Sequence, residues 1–460
     1  MYQINFNHPI HVFFIGIGGI SMSGLAEILL SKGFTVSGSD RQKSSLTETL
    51  SEKGATVFYG QNEENLSVHP DLIVYTSAIK SDNPEFAAGQ RLGIPFLTRA
   101  QLLGQMMKNY KLPIAVSGTH GKTTTTSMLS QILLEADTDP TLSIGGIFQP
   151  IGGNFRLGGS DYFVTEACEY TNSFLSFFPK IGIVLNIEED HLDFFKDIND
   201  IRNSFHAFAK LLPSDGTLII NGDIPHVEEI TDSLPCQVLT YGSSSGCSYS
   251  PTDISYDEFG NPSFILTGKD GVPQGTYTLR VPGLYNVYNA CAAIITALLL
   301  GIDKEVIQKA LLDFHGTDRR FEYKGQLNGF TIIDDYAHHP TEITATLNAA
   351  KNYPHKTLWC IFQPHTYTRT KTFLSAFAKA LSLSDEIILT DIYAAREKDT
   401  LGISSKDLQR EIQNLGHECH HFPSFGEVEK FVLENCTKGD LLITMGAGDV
   451  VKIGENLLQK

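Results

Sequence analysis

The sequence predicts an α/β protein of three consecutive domains, and three observations carry that prediction. Short apolar runs alternate with helix-period segments along nearly the whole chain, the pattern of βαβ units. Many of these runs are apolar at every position, as strands covered by helices on both faces must be. Two of them break into glycines and continue as helices, at VFFIGIGGISMSG (12–24) and IAVSGTHGKTTTTS (114–127). A length of 460 residues fits about three domains.

In chain order, HVFFIGIG, FTVSGSD, ATVFYG and LIVYTSAI read as strands, with MSGLAEILLSKG and RAQLLGQMMKN as helices. They make a Rossmann-like N-terminal domain over 1–108. The polar piece KNYKLP leads to a second strand, glycine turn and helix, which opens a central P-loop-type ATPase α/β domain over 109–318. It holds YFVTEA and IGIVLNI as buried strands and a β-rich insertion over 235–282. TDRRFEYKG then leads into TIIDDY, TLWCIFQP, EIILTDIY and DLLITMG, a C-terminal Rossmann-like domain over 319–460.

Composition narrows the class. With 42% hydrophobic and 19% charged residues the chain is globular. A net charge of −17 argues against a nucleic-acid or anionic-membrane partner, while leaving room for a local phosphate site. MYQINFNHPI lacks the features of a signal peptide. The longest apolar segment, CAAIITALLLGI, falls short of the about 20 residues that span a bilayer. Seven dispersed cysteines without a CxxC pair suggest reduced thiols. These features predict a soluble cytoplasmic protein; a monomer or a homodimer is the expected state.

The second glycine loop carries the more specific chemistry. Gly118 and Gly121 let backbone N–H groups turn inward around phosphate at a helix N-terminus, with Thr119, His120 and Thr124 completing the loop. Lys122 can reach the outer phosphates and Thr123 can hold Mg²⁺, so ATP is the expected ligand. Val116 stands where the usual pattern has its first glycine. Glu166 and His191 each follow a strand, where a parallel sheet presents ligands, and His191 is flanked by Asp190 and Asp193. Carboxylate suits Mg²⁺ better than imidazole does. In isolation such acids are more often solvated surface groups.

In the first loop, Gly16, Gly18 and Gly19 allow close approach to a pyrophosphate, and Ser21, Met22 and Ser23 begin the helix. Asp40 lies where a ribose-binding acid would sit in an NAD-dependent dehydrogenase. Against that reading, the third glycine of the fingerprint falls on Ser21, and a dehydrogenase does not need GTHGKT.

Seven motifs in order, GTHGKTTTTSM, EACEYTNSFL, LNIEEDHLDFF, YNVYNACAA, GTDRRFE, DDYAHHPTEI and FQPHTYTRT, resemble the Mur ligases of peptidoglycan synthesis. The likeness runs from the first glycine loop to TMGAGD near the end. It implies one domain for a UDP-sugar, one for ATP and one for an amino acid. It also implies a reaction: ATP phosphorylates the lactyl carboxylate of UDP-N-acetylmuramate, and an amine attacks the acyl phosphate. The motifs fit the branch that adds L-alanine; a ligase recycling a preformed tripeptide is the nearer alternative, and a dehydrogenase the distant one.

By resemblance, Lys122, His191 and His338 are the catalytic candidates, and Thr123, Glu166 and His191 the Mg²⁺ set. Asn186, Asn286, Asn289, Arg320 and Asp335 join the ATP site, with Arg319 in a related role. Tyr285 stands where relatives often carry histidine. Tyr336, His338 and Arg369 face the amino acid, His338 as a candidate base and Arg369 as a carboxylate clamp; Thr366 replaces an arginine of some relatives. The pyrophosphate of the first loop becomes that of the UDP-sugar, with Asp40 in the same site and Thr76, Ser77 and Ala78 as its uridine-side wall. The lysine that several Mur ligases carbamylate has no counterpart near Phe205.

Overall fold

A computed structural model describes residues 2–76, 78–395 and 397–459. The chain divides into two compact units, Met1–Cys247 and Ser248–Lys460.

The first unit opens with β1 (His11–Ile15), β2 (Thr35–Asp40), β3 (Thr56–Tyr59), β4 (Leu72–Tyr75) and β5 (Phe96–Thr98). They form a parallel sheet in the order β3-β2-β1-β4-β5. Its two-sided burial follows from alternation along each strand. Val12 and Phe14 enter one apolar cluster, whereas Phe13 and Ile15 enter another. Leu72 and Val74 divide from Ile73 in the same way. The three-residue β5, FLT, is a strand that periodicity does not announce.

The next strands are β6 (Leu112–Ser117), β7 (Thr141–Phe148), β8 (Gly153–Arg156), β9 (Tyr162–Glu166), β10 (Ile181–Val184), β11 (Thr217–Asn221) and β12 (Gln237–Tyr241). Their order is β12-β11-β10-β6-β9-β7-β8, parallel except for the β7/β8 hairpin. β6 therefore lies between β9 and β10, and the carboxyl ends of all three meet at the loop after β6. This is the crevice in which open α/β sheets bind ligands.

The helix Arg99–Met107 packs on the segment Tyr170–Ser176. Contact is closest at Gly104, where an added Cβ would lie 2.8 Å from the Ser176 carbonyl carbon and 3.3 Å from the Phe177 Cα. Phe205, at the position of the absent lysine, is fully buried and meets Phe174 edge-on at 5.4 Å.

The second unit begins with an antiparallel meander, β13 (Tyr249–Tyr256), β14 (Pro262–Gly268) and β15 (Pro273–Thr278). This is the core of the β-rich stretch. The earliest strand of that stretch, β12, pairs parallel with β11 instead. CAAIITALLLGI lies on and just beyond the helix Leu284–Leu299. Among the described residues, no helix is long and apolar enough to cross a membrane.

The third sheet comprises β16 (Glu322–Leu327), β17 (Phe330–Asp335), β18 (Leu358–Phe362), β19 (Glu386–Leu389), β20 (Cys419–His421) and β21 (Leu441–Met445), in the order β16-β17-β21-β18-β19-β20. Only β16 runs antiparallel. In β18, Cys360 enters one apolar cluster and Trp359 the other, where the indole Nε1 donates to Asp440 Oδ2 at 3.3 Å. β16 and β20 are edge strands of mixed polarity, which is why EYKGQL and CHH do not read as strands.

Candidate active site

The loop after β6 is a braced cradle. Gly118 and Gly121 have φ of 142° and 83°, conformations that side chains rarely adopt, so glycine is required at both. The Asn186 side chain, just beyond β10, accepts from the His120 N–H at 2.8 Å and donates to the His120 carbonyl at 3.0 Å. Thr119 N–H donates to the Asn186 carbonyl. Asn186, expected at the nucleotide, is thus engaged by the loop itself.

From the start of the helix Lys122–Glu135, Lys122 donates to the carbonyls of Gly118 and Thr119, the latter at 2.9 Å. It also pairs with Glu169 at 3.0 and 3.3 Å. Burial alone would lower this ammonium. The charges of Glu169, Cys168 and Glu166 outweigh it and hold Lys122 above its ordinary value. Glu169, only 2% exposed, is a partner the motif reading missed. Its signal was a second acid three residues past Glu166.

Thr123 donates to Glu166 Oε2 at 3.1 Å, and Glu166 Oε1 accepts from the Gly145 N–H. The hydroxyl and the carboxylate form a hard-oxygen pair close enough for one small cation to bridge, so these residues fit Mg²⁺. His191 reaches the same edge with φ of 53° and lies 3.7 Å from Glu169 Oε1. Asp190 accepts its N–H at 2.7 Å. Asp193 accepts from the Tyr170 hydroxyl.

At the N-terminal loop, Gly16 and Ile17 donate to the Ser39 carbonyl, and Gly18 donates to Asp40 Oδ2 at 2.9 Å. Asp40, a candidate ligand contact, thus ties β2 to the glycine turn. The helix Ile20–Ser31, which carries Ser21, Met22 and Ser23, starts at Gly19 without a side-chain cap. Its first N–H groups are then suited to an anion. Thr76 Oγ1 accepts from Ala78 N–H just past β4; Ser77 lies outside the described residues.

Arg99 at the start of its helix escaped the motif reading. Burial depresses this guanidinium, and Cys168, whose own thiol burial pushes up, is the group set against that effect. Among the described residues no carboxylate pairs with it and no acceptor takes its N–H groups. Cys168 in turn interacts with Lys122, Glu166 and Glu169. Arg99 therefore brings an uncompensated cation to the loop that holds the Lys122 counter-ion. A cation of this kind calls for an anion.

In the second unit, Asn286 donates to the Pro282 carbonyl at 2.8 Å, and Asn289 donates to Asn286 Oδ1 at 3.1 Å. Burial and Asp335 push the Tyr285 phenol up, while Arg320 and an Asn286 hydrogen bond pull it down. Tyr285 therefore lies close to those three residues. Asp335 ends β17 and accepts from Ala337 and Phe321 N–H at 2.8 Å each. Burial raises its carboxyl to about 6, against Arg320 and the two amides. Arg319 is taken up by structure: it pairs with Asp334 at 2.9 Å and donates to the carbonyls of Gly446 and Gly448.

The Tyr336 ring faces the guanidinium carbons of Arg319 and Arg320 at 5.0 and 5.1 Å. His338 Nδ1 lies 3.1 Å from the Tyr336 carbonyl, which can only accept, so Nδ1 carries the proton and Nε2 is the acceptor. Glu342 accepts the His338 backbone N–H at 3.0 Å and lies 3.3 Å from Nδ1, steadying that tautomer. Glu342 was also missed; its signal is the capping box that His339 makes with it. Arg369 sits on the helix Tyr367–Thr372, whose cap residue Thr366 has φ of 65° and accepts the Arg369 N–H.

Comparison with known proteins places these groups in a family context. Three family models match in succession: "Mur ligase family, catalytic domain" over 11–111, "Mur ligase middle domain" over 116–297 and "Mur ligase, glutamate ligase domain" over 319–448. UDP-N-acetylmuramate–L-alanine ligases of Agathobacter rectalis and Lachnospira eligens are 59% and 58% identical over 460 residues, covering 100% of both chains in each case. A solved UDP-N-acetylmuramate-alanine ligase of Thermotoga maritima superposes with a TM-score of 0.80 at 28% identity, covering 98% of each chain. A murein peptide ligase of Psychrobacter arcticus gives 0.69 at 27% identity, also covering 98% of each.

Proposed function

Because the chain belongs to the Mur ligase family, we propose that it joins L-alanine to the lactyl carboxylate of UDP-N-acetylmuramate. ATP drives the ligation through an acyl phosphate, giving UDP-N-acetylmuramoyl-L-alanine, ADP and phosphate in peptidoglycan precursor synthesis. The observation that carries the phosphoryl-transfer half is the convergence of Lys122, Thr123 and Glu166 on the β6/β9/β10 edge. The choice of L-alanine follows from relatives aligned end to end. We place the reaction in the cytoplasm.

The central difficulty is electrostatic, since a carboxylate must approach the γ-phosphate. Lys122 neutralises charge there once its ammonium leaves the Gly118 and Thr119 carbonyls for phosphate oxygens. Thr123, Glu166 and His191 would hold Mg²⁺, which supplies further charge neutralisation on the phosphates when bound. Arg320 and Asp335 contact ATP beside Asn286 and Asn289, with Tyr285 in the place of the usual histidine. His338 Nε2 takes the proton that the L-alanine ammonium must lose before it attacks. Arg369 holds the α-carboxylate, and Tyr336 borders the same site. The loop 16–23 takes the pyrophosphate of the UDP-sugar.

Arg99 supplies the substrate anion with its partner. Arg99→Met is expected to raise the KM for UDP-N-acetylmuramate by about tenfold or more, the scale of a lost charged hydrogen bond, with the KM for ATP little changed. Steady-state kinetics with each substrate varied in turn checks this; a rise confined to ATP removes Arg99 from the sugar site.

The activity itself is tested by phosphate release from Mg-ATP and UDP-N-acetylmuramate with each amine. L-Alanine should stimulate release strongly. Stimulation by L-Ala-γ-D-Glu-diaminopimelate without any by L-alanine would assign the recycling reaction instead.

A further inference from the structure

We propose that Tyr170 is a positioning residue for His191, and that its ring sets the attitude in which the imidazole meets a divalent cation. This rests on the assignment of His191 to the cation site. The His191 backbone is held in the left-handed region by its neighbours: Asp190 accepts its N–H, and its carbonyl accepts from Phe194 and Phe195 at 2.8 and 2.9 Å. A non-glycine residue persists there only where its surroundings impose it.

That turn fixes where the Cα lies. The carboxylates of Glu169 and Asp190 stand at 3.7 and 3.9 Å from Nε2, longer than hydrogen bonds. The Tyr170 ring lies over the imidazole with centroids 4.5 Å apart and planes at 28°.

Tyr170 is itself held at both ends. Its hydroxyl donates to Asp193 Oδ2 at 2.7 Å, so it grips residues 191–193 by ring and by oxygen together. Its backbone enters a turn in which Thr171 and Asn172 have φ of 54° and 56°. Asn172 donates its N–H to the Glu169 carbonyl and accepts from the Ser204 hydroxyl. The Phe194 edge closes the far side at 6.1 Å. With 36% of its surface exposed, Tyr170 is no core residue, and its fixed pose needs another reason. Glu169 and Tyr170 are adjacent, so one segment holds Lys122 with a carboxylate and His191 with a ring.

Groups that orient a ligating histidine typically change metal affinity by 10–100-fold when removed. The probe is Mn²⁺ added to the full-length protein, with free ion counted by electron paramagnetic resonance and imidazole nitrogen read from electron spin-echo modulation. Tyr170→Ala should weaken Mn²⁺ binding by about tenfold and diminish the nitrogen modulation. Tyr170→Phe, which keeps the ring, should stay near wild type. Tyr170→Ala/His191→Ala should bind as weakly as His191→Ala alone. Unchanged binding in Tyr170→Ala, or losses that add in the double variant, would overturn the proposal while leaving the cation site standing. If His191→Ala itself binds Mn²⁺ normally, the cation-site reading falls and the proposal with it.

Discussion

Lys122→Met is expected to cut L-alanine-dependent phosphate release by about a thousandfold, the scale of losing a preorganised cation at a transferring phosphoryl group. The same change should destabilise the first unit. The Glu169 side chain, 3% exposed, would stay buried without its ammonium partner. Breaking a buried pair from one side costs about 3 kcal/mol or more. Lys122→Met/Glu169→Gln should therefore recover most of the stability and none of the turnover. Urea unfolding and phosphate release on the two variants separate the effects. If the single variant keeps a tenth of wild-type activity, the phosphate role of Lys122 is refuted.

The second large effect is expected at Gly104→Ala. The new methyl group would overlap the Ser176 backbone, which has no side-chain freedom with which to yield. Overpacking against backbone costs about 1–3 kcal/mol even when the structure relaxes. The helix Arg99–Met107 would have to move away from the segment Tyr170–Ser176. That segment follows directly on Glu169, and the helix carries Arg99 at its first turn. The variant should thus lower the thermal midpoint by several degrees and raise the KM for UDP-N-acetylmuramate together. A lower midpoint with unaltered kinetics would show that the helix contact is structural only.

Much of this architecture is legible in the amino-acid order because it is locally encoded. β1, β4, β17, β18 and β21 are apolar on both faces, and the loop after β6 announces itself through Gly118, Gly121 and Lys122. β5 and β20 are short edge strands whose partners, β4 and β19, lie well back along the chain, whereas β16 is a polar edge strand joined to β17 by the two-residue turn Asn328–Gly329. The site divides similarly. Thr123 and Glu166 are found from their motif and strand-end positions, and the structure brings them within hydrogen-bonding distance. Glu169, Arg99 and Glu342 acquire meaning only from what packs beside them, which no spacing rule reveals. Asn186, expected at the nucleotide, also braces the loop by binding the His120 backbone, because an amide matches a peptide unit in donor and acceptor alike. Arg319, adjacent to Arg320, turns instead to the buried Asp334. Two like residues side by side in sequence thus face different carboxylates, Asp334 and Asp335.

Trp359 is the only tryptophan in the chain, and it is 6% exposed inside the C-terminal sheet, with its indole N–H on Asp440. Its emission is consequently a built-in optical label for one domain of three. Loosening of that sheet admits water to the indole and shifts the spectrum to longer wavelength, whereas melting of the two preceding sheets leaves the emission unmoved. Fluorescence and far-ultraviolet dichroism followed on one sample would therefore resolve the order in which the domains come apart, without any label being introduced.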